Sequence, residues 1–377
     1  MTKPLLVIEG EVYSELSLAR ANRELALALL RRDDVEIALS APLLGGYLTR
    51  SAPAIERLVA RTGIALDRPP DLTVHHMWPP NFQRPAQGRY AHIQPYELGA
   101  LPTAWRDSLR GVADEIWCYG SFVRDMYLRA GFAPEQLVTV PLGIDPAVFR
   151  PDGDHAQLAV RGSFRFLYVG GTIWRKGADV AVNAFLNAFG PSDDVCLIVK
   201  DVGGGSVYRN QSMRALIEPV TGRSDLAEVV YSDAVLEDEA LAALYRTADV
   251  VLLPYRGEGF GLTALEAMAC GTPPIVTKGG ATDDFVDASV GIQLPAIRKE
   301  ITLAQVPDLP DTVEPPWRLE VDVQLLARVM RMVVEQRGAL RALGEAAARR
   351  AREEWTWDRG AAVMAERARL AAAARIG

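Results

Sequence analysis

From Leu5 onward, short apolar runs alternate with longer stretches in which apolar residues recur every three or four positions. LLVIEG (5–10) is followed by SLARANRELALALLRR (17–32) and then by VEIALSA (35–41), the order strand, helix, strand. Further strands are expected at DLTVHH (71–76), RYAHIQ (89–94), EIWCYG (115–120) and LVTVPLG (137–143), with a helix at SFVRDMYLRAG (121–131). Unbroken apolar strands separated by helices predict an α/β architecture whose parallel sheet is covered on both faces.

The pattern lapses in DPAVFRPDGDHAQLAVRGS (145–163), which is rich in Pro, Gly and Asp, and a second series then begins. Its strands are FRFLYVGG, VCLIVKD, EVVYSD, DVVLLP, PIVTKG and VGIQL, with helices at ADVAVNAFLNAFG, SMRALIEPVTG and EDEALAALYRTA. Residues 297–317 read as an irregular excursion, and the Ala- and Arg-rich tail from about Asp322 reads as helical with a break near EEWTWDRG (353–360). Three segments are therefore expected: a Rossmann-like domain over 1–155, a second over 156–350, and a final helix over 351–377 that packs back on the first. Ligands of doubly wound sheets bind beyond the carboxyl ends of the strands, so the chemistry is expected just after them.

Composition narrows the field. The 377 residues are 49% hydrophobic and 24% charged with a net charge of −7, which suits a globular protein and gives no general attraction to nucleic acid. No charged-then-apolar leader opens the chain and no apolar run is long enough to span a bilayer, so a cytoplasmic location is expected, with peripheral membrane contact left open. The three cysteines, Cys118, Cys196 and Cys270, lack metal-ligand spacing and read as buried thiols.

The densest chemistry lies in RGEGFGLTALEAMACGTP (256–273), a strand exit, a glycine-rich turn and a helix start. A helix N-terminus suits a phosphate, yet Glu258 and Glu266 would repel one. A ligand with a diphosphate flanked by hydroxyl-bearing sugars resolves this, because carboxylates accept hydrogen bonds from hydroxyls. Thr263-Ala-Leu-Glu266 also fits a capping box, which alone would account for Glu266. In FLYVGGTIWRKGADV, Gly170, Gly171, Arg175 and Lys176 follow another strand, and a cation there would stabilise a departing diphosphate; a solvated surface loop is the plainer alternative. Lys200, ending VCLIVKD, is a further candidate cation.

YVGG…RKGADV, YRTADVVLLP and EGFGLTALEAMACGTPPIV make residues 166–277 resemble the C-terminal domain of glycosyltransferase family 4, retaining enzymes of the GT-B fold, with Glu258 and Glu266 as the family's E-x7-E pair. VPLGIDPAVFRP (140–151) resembles the segment between its domains, with Leu142 where an asparagine is common. The resemblance implies two Rossmann-like domains facing a cleft and transfer of a sugar from a nucleoside-diphosphate donor, UDP- or GDP-linked, without metal or other cofactor. It implies that Glu266 binds the ribose, that Glu258, Gly259, Phe260 and Gly261 meet the donor sugar, and that Leu262 and Thr263 offer N–H groups to the phosphates. Lys176 matches the diphosphate lysine. Gly171 stands where an arginine is usual, so Arg175 or Lys200 is expected to supply the second cation, and a non-catalytic nucleotide-sugar binder is the alternative reading.

Acceptor-side candidates are Glu11 in EGEVYSE, His76 in DLTVHHMWPPNF, and His92, Gln94 and Glu97 in RYAHIQPYELGALP, with packing or solvated roles as the alternative for each. The acceptor is expected to be a saccharide, a lipid-linked sugar or a small molecule. Four histidines in the whole chain suit a front-face mechanism that needs no strong protein base.

Overall fold

The computed structural model describes residues 2–14, 17–42, 52–203, 208, 211–303, 305–306 and 308–375. Glu15, one carboxylate of the EGEVYSE loop, lies outside them. The chain forms two compact units: Met1–Gly143 with Thr302–Pro315 and Thr356–Gly377, and Ile144–Ile301 with Pro316–Trp355.

In the first unit, strands β1 (Leu5–Glu9), β2 (Glu36–Ser40), β3 (Leu72–His75), β4 (Arg89–Ile93), β5 (Glu115–Cys118) and β6 (Leu137–Thr139) alternate with helices α1 (Ser17–Leu29), α2 (Ala52–Val59), α3 (Thr103–Leu109) and α4 (Ser121–Arg129). The sheet is parallel throughout, in the order β2-β1-β3-β4-β5-β6. Tyr90, Ile116, Met126 and Tyr127 form part of the core on its α4 side. The terminal helix, Trp357–Ala373, packs against α1 with Trp357, Ala361, Met364, Ala365 and Ala368 buried.

The second unit repeats the plan with β7 (Phe164–Gly170), β8 (Val195–Asp201), β9 (Glu228–Ser232), β10 (Val250–Leu253), β11 (Pro274–Thr277) and β12 (Ile292–Leu294). Helices α5 (Ala178–Ala188), α6 (Arg214–Ile217), α7 (Asp238–Thr247) and α8 (Leu262–Ala269) connect them. The order is β12-β11-β10-β7-β8-β9, again all parallel. Phe164, Phe166, Phe185 and Phe189 stack between β7 and α5, each buried ring being worth about 1.5–3 kcal/mol.

Three sequence expectations change. Ala296–Glu300 (β13) and Trp317–Val321 (β14) form an antiparallel ladder, so the excursion is irregular only between them. That intervening part belongs to the first unit, where Thr103 N–H donates to Asp311 O (2.8 Å) and Val313 N–H to Leu101 O (3.0 Å). The units divide at Gly143 rather than at 155, because the Pro- and Gly-rich stretch is tied to the second unit: Ile144 N–H donates to Trp355 O, Ala156 N–H to Thr247 Oγ1, and the Arg246 guanidinium to the carbonyls of Arg150 and Asp154. The tail forms α9 (Val323–Glu335), α10 (Arg337–Glu354) and the terminal helix, breaking at Trp355 and Thr356. No helix among the described residues is long and apolar enough to cross a membrane.

Candidate active site

In each sheet the strand order reverses direction next to the first strand, and beyond the strands' carboxyl ends at such a point is where doubly wound sheets take ligands. In the second unit this point lies between β7 and β10, which pair directly. The loops leaving these strands are Gly170–Gly177 and Pro254–Gly261, the two glycine-rich motifs of the sequence.

The loops are laced together. Arg256 and Gly257 donate their N–H groups to Arg175 O (2.7 and 3.3 Å), and Arg175 Nη1 returns a bond to Gly257 O at 2.9 Å. Arg256 makes a bidentate pair with Asp179 in the first turn of α5, both bonds 2.8 Å, donates to Trp174 O, and lies over the Trp174 ring with its guanidinium carbon 5.0 Å from the centroid. It is 7% exposed, so it acts as an internal clamp. The motif around Arg256 carries no sign of this task, because its partner is 77 residues away and no local spacing announces the pair.

Within this frame Lys176 Nζ lies 3.3 Å from Glu258 Oε2, and Gly259 N–H donates to Glu258 Oε1 at 3.1 Å. Burial raises the affinity of Glu258 for a proton. Lys176 first and Arg175 next outweigh it, and the carboxyl is held below its ordinary range. Gly170 lies under the Lys176 side chain, where an added Cβ would stand 3.4 Å from Cδ. Glu258 and Lys176 are each about a fifth exposed, so a ligand arriving from solvent can reach both.

The first turn of α8 differs from the capping box. Gly261 is the N-cap, at φ +97° and with no side-chain cap bond, which leaves Thr263 inside the helix. Only glycine fits this left-handed corner, since a Cβ would lie 2.5 Å from Thr282 Cγ2. The intrahelical ladder begins with Ala264 N–H on Gly261 O, so the N–H groups of Leu262 and Thr263 stand ahead of it. Glu266 is buried and accepts from Tyr245 Oη at 2.9 Å. The Phe260 ring turns inward, 5.4 Å from Phe285 and 5.9 Å from Trp355, leaving its backbone as the part nearest the turn.

The other candidate cations lie elsewhere. Lys200 is buried, donates to Asp201 O at 2.6 Å and is pushed by burial toward the neutral form. A Cβ at Gly171 would stand 2.6 Å from Tyr208 Cδ2, so an arginine there would require the Tyr208 ring to shift.

In the first unit the reversal falls between β1 and β3, and the groups there are of another kind. His75 Nε2 lies against the Glu9 carboxylate, its opposite number across the strand pair. His76 is fully buried with Nδ1 on Asn22 Oδ1 and Nε2 on the Tyr119 hydroxyl, both 2.5 Å. Burial pushes it down to about 3, so it is a neutral, doubly bonded residue of the framework, not a group open to a ligand. Asn22 also donates to the carbonyls of Glu11 and His76 (2.9 and 2.8 Å), fixing the Glu11 loop. His92 is buried beside Tyr90 Oη (2.7 Å) and is likewise pushed to about 3, chiefly by burial. Gln94 is buried with its backbone carbonyl accepting from the Tyr127 hydroxyl, and Glu97 is half-buried.

Residues 163–305 match the model of the glycosyl transferases group 1, a span that contains both loops of the second unit. This segment is a group 1 glycosyl transferase domain. The chain is 34% identical over 191 residues to a D-inositol 3-phosphate glycosyltransferase of Acidothermus cellulolyticus, covering 47% of this chain and 40% of the relative. It is 29% identical over 182 residues to the GDP-mannose-dependent alpha-(1-6)-phosphatidylinositol dimannoside mannosyltransferase of Mycobacterium tuberculosis, covering 47% and 44%. The matches thus span less than half of these relatives' own length. The structure resembles sucrose-phosphate synthase from Thermosynechococcus elongatus with a TM-score of 0.67 at 20% identity, covering 99% of this chain and all of that one. The fold that holds the glycosyl transferase domain is GT-B, with its two Rossmann-like parallel sheets.

Proposed function

We propose that the protein is a retaining glycosyltransferase, moving a sugar from a nucleoside-diphosphate donor to an acceptor hydroxyl. The observation that carries this reading is the Lys176–Glu258 pair at the β7–β10 reversal, beside the first turn of α8. Lys176 and the N–H groups of Leu262 and Thr263 hold the diphosphate, where the helix end adds about half a positive charge. The donor's phosphates then compete with Glu258 for Lys176 and turn that carboxylate toward the sugar hydroxyls. Glu266 takes the ribose hydroxyls, with Tyr245 orienting its carboxylate through Oε2. GDP-mannose in the name of one relative supports a nucleotide-sugar donor.

In the front-face step the acceptor oxygen attacks the anomeric carbon on the side from which the diphosphate leaves. The bond from that carbon to the phosphate oxygen breaks, its electron pair stays on the diphosphate beside Lys176, and the acceptor proton passes to a phosphate oxygen. Glu258 is unsuited to removing that proton, because its carboxyl is held below its ordinary range. Arg175 serves as a positioning residue through Gly257, and Gly170, Gly171, Gly259, Phe260 and Gly261 shape the turn with their backbones. Lys200 is assigned to the framework. The first unit takes the acceptor, with Glu11, His92, Gln94 and Glu97 as the residues to test and His76 as support.

Incubation with UDP- and GDP-sugars, with the anomeric configuration of any transfer or hydrolysis product read by NMR, tests the reading. Retention is expected. An inverted product contradicts the mechanism, and a folded chain that binds donors but never turns one over is the non-catalytic binder.

A further inference from the structure

At the end of β4 and just past it, two buried polar atoms have no hydrogen-bond partner among the described residues, His92 Nε2 and Gln94 Oε1. They lie two residues apart, one in the strand and one in the first residue after it. His92 spends its other nitrogen on Tyr90, and Gln94 is 3% exposed, so neither is simply wetted by bulk solvent. Buried polar groups in folded proteins are nearly always paired, and an exception needs a reason.

Aromatic side chains continue from this point to the surface. The Phe82 ring lies 5.1 Å from His92 and 6.3 Å from Trp105, and Trp105 meets Tyr96 at 5.4 Å and Trp78 at 6.2 Å. Trp78 is 64% exposed, an indole presented to solvent at the end of a packed cluster. The cations near these residues in sequence are already engaged: Arg89 lies 3.6 Å from Glu115, Arg84 pairs with Asp114 at 2.7 Å, and Arg106 pairs with Asp107 at 2.7 Å. Unpaired polar atoms set among aromatic faces, beside neutralised charges, make a site for a ligand that is uncharged, rich in hydroxyls and apolar on one face.

We propose that this cluster is a subsite for a neutral pyranose ring of the acceptor, which packs its C–H face against the aromatic cluster at Trp78 and hydrogen-bonds through its hydroxyls with His92 Nε2 and Gln94 Oε1. The acceptor is then a glycoside, either a free saccharide or the sugar of a glycolipid. The assignment of this sugar to the acceptor rests on the transferase reading; the binding itself does not.

The test uses the full chain without donor. Methyl α-glucopyranoside, methyl α-mannopyranoside and their octyl counterparts below micellar concentration are titrated while indole fluorescence and saturation-transfer NMR are followed, with UDP and GDP binding measured in parallel. At least one glycoside is expected to perturb the indole signal, with affinity at least tenfold weaker in Trp78→Ala and several-fold weaker in Gln94→Leu at unchanged melting temperature. Nucleotide affinity is expected to stay the same in both variants. Equal binding of methyl and octyl forms assigns a soluble acceptor and tighter binding of the octyl form a lipid-borne one. Glycosides that leave every signal unchanged while nucleotides bind overturn the subsite alone, as does a Trp78→Ala variant that binds like the parent. Glycosides that bind where no nucleotide does keep the subsite and overturn the transferase reading.

Discussion

The two sheets reverse strand order at equivalent places, and what stands there differs. In the second unit the reversal between β7 and β10 holds glycines, a lysine and a glutamate, with opposite charges 3.3 Å apart and partly open. In the first, the reversal between β1 and β3 holds Glu9, His75 and a buried His76 bonded on both nitrogens. One arrangement provides charge and backbone N–H groups, which a diphosphate needs. The other holds a carboxylate–imidazole pair and a histidine with both nitrogens occupied, and the unpaired atoms that suit hydroxyls lie on and just past the next strand over, at His92 and Gln94. A shared architecture thus sets where a ligand binds, and the residues at the strand ends set which ligand it is.

The largest test of that contrast removes the charge. Lys176→Ala is expected to lower turnover by a factor of about 10²–10³, the scale of losing one donor to a developing anion, with the melting temperature little changed and glycoside binding by the first unit intact. A variant with parental turnover would detach the lysine from the chemistry. Next, Arg256→Gln leaves Asp179 without its bidentate partner and unfastens both loops, and a loss of about 2–4 kcal/mol in urea denaturation is expected. A cost below ~1 kcal/mol would show that the loops hold each other without the clamp. Glu266→Ala is expected to weaken nucleotide binding by about 1–3 kcal/mol by calorimetry, and unchanged affinity for UDP, GDP and ADP would confine Glu266 to its bond with Tyr245.

A further test addresses the first unit through pH. His76 and His92 are pushed to about 3 in the folded chain and titrate near 6.5 when unfolded. Between those values the unfolded state binds the extra protons. Stability is therefore unaffected by these groups above about pH 7 and falls on acidification, by up to ~1.4 kcal/mol per pH unit for each histidine. His92→Gln should reduce that slope by one proton in urea melts from pH 7 to 4. An unaltered slope would mean that His92 already charges in the folded protein.

The contrast was only half legible in the sequence. Strands β1 to β12 were marked by apolar runs, because a strand covered on both faces leaves a local signal. Glu258 and Lys176 were legible as motif residues, and the excursion at 297–317 was seen but not its flanking hairpin. What escaped was long-range. The Arg256–Asp179 clamp, the Tyr208 ring over Gly171 and the Tyr245–Glu266 bond each join residues from different loops or helices, so no spacing announces them. The capping box failed for a related reason: the helix is capped two residues upstream of Thr263 at the left-handed Gly261, which packs against Thr282 far along the chain. His76 stands out in the sequence by residue type alone, whereas the structure has both of its nitrogens occupied.

Calorimetric titration of the intact chain with UDP, GDP and ADP, alongside the corresponding monophosphates and nucleosides, bears most directly on the claim that the β7–β10 reversal is a nucleoside-diphosphate site. Saturable binding of at least one diphosphate is expected, with affinity falling at least tenfold when the terminal phosphate is removed and falling likewise in Lys176→Ala. A folded chain that binds none of the three, or that binds a nucleoside as tightly as its diphosphate, would contradict it.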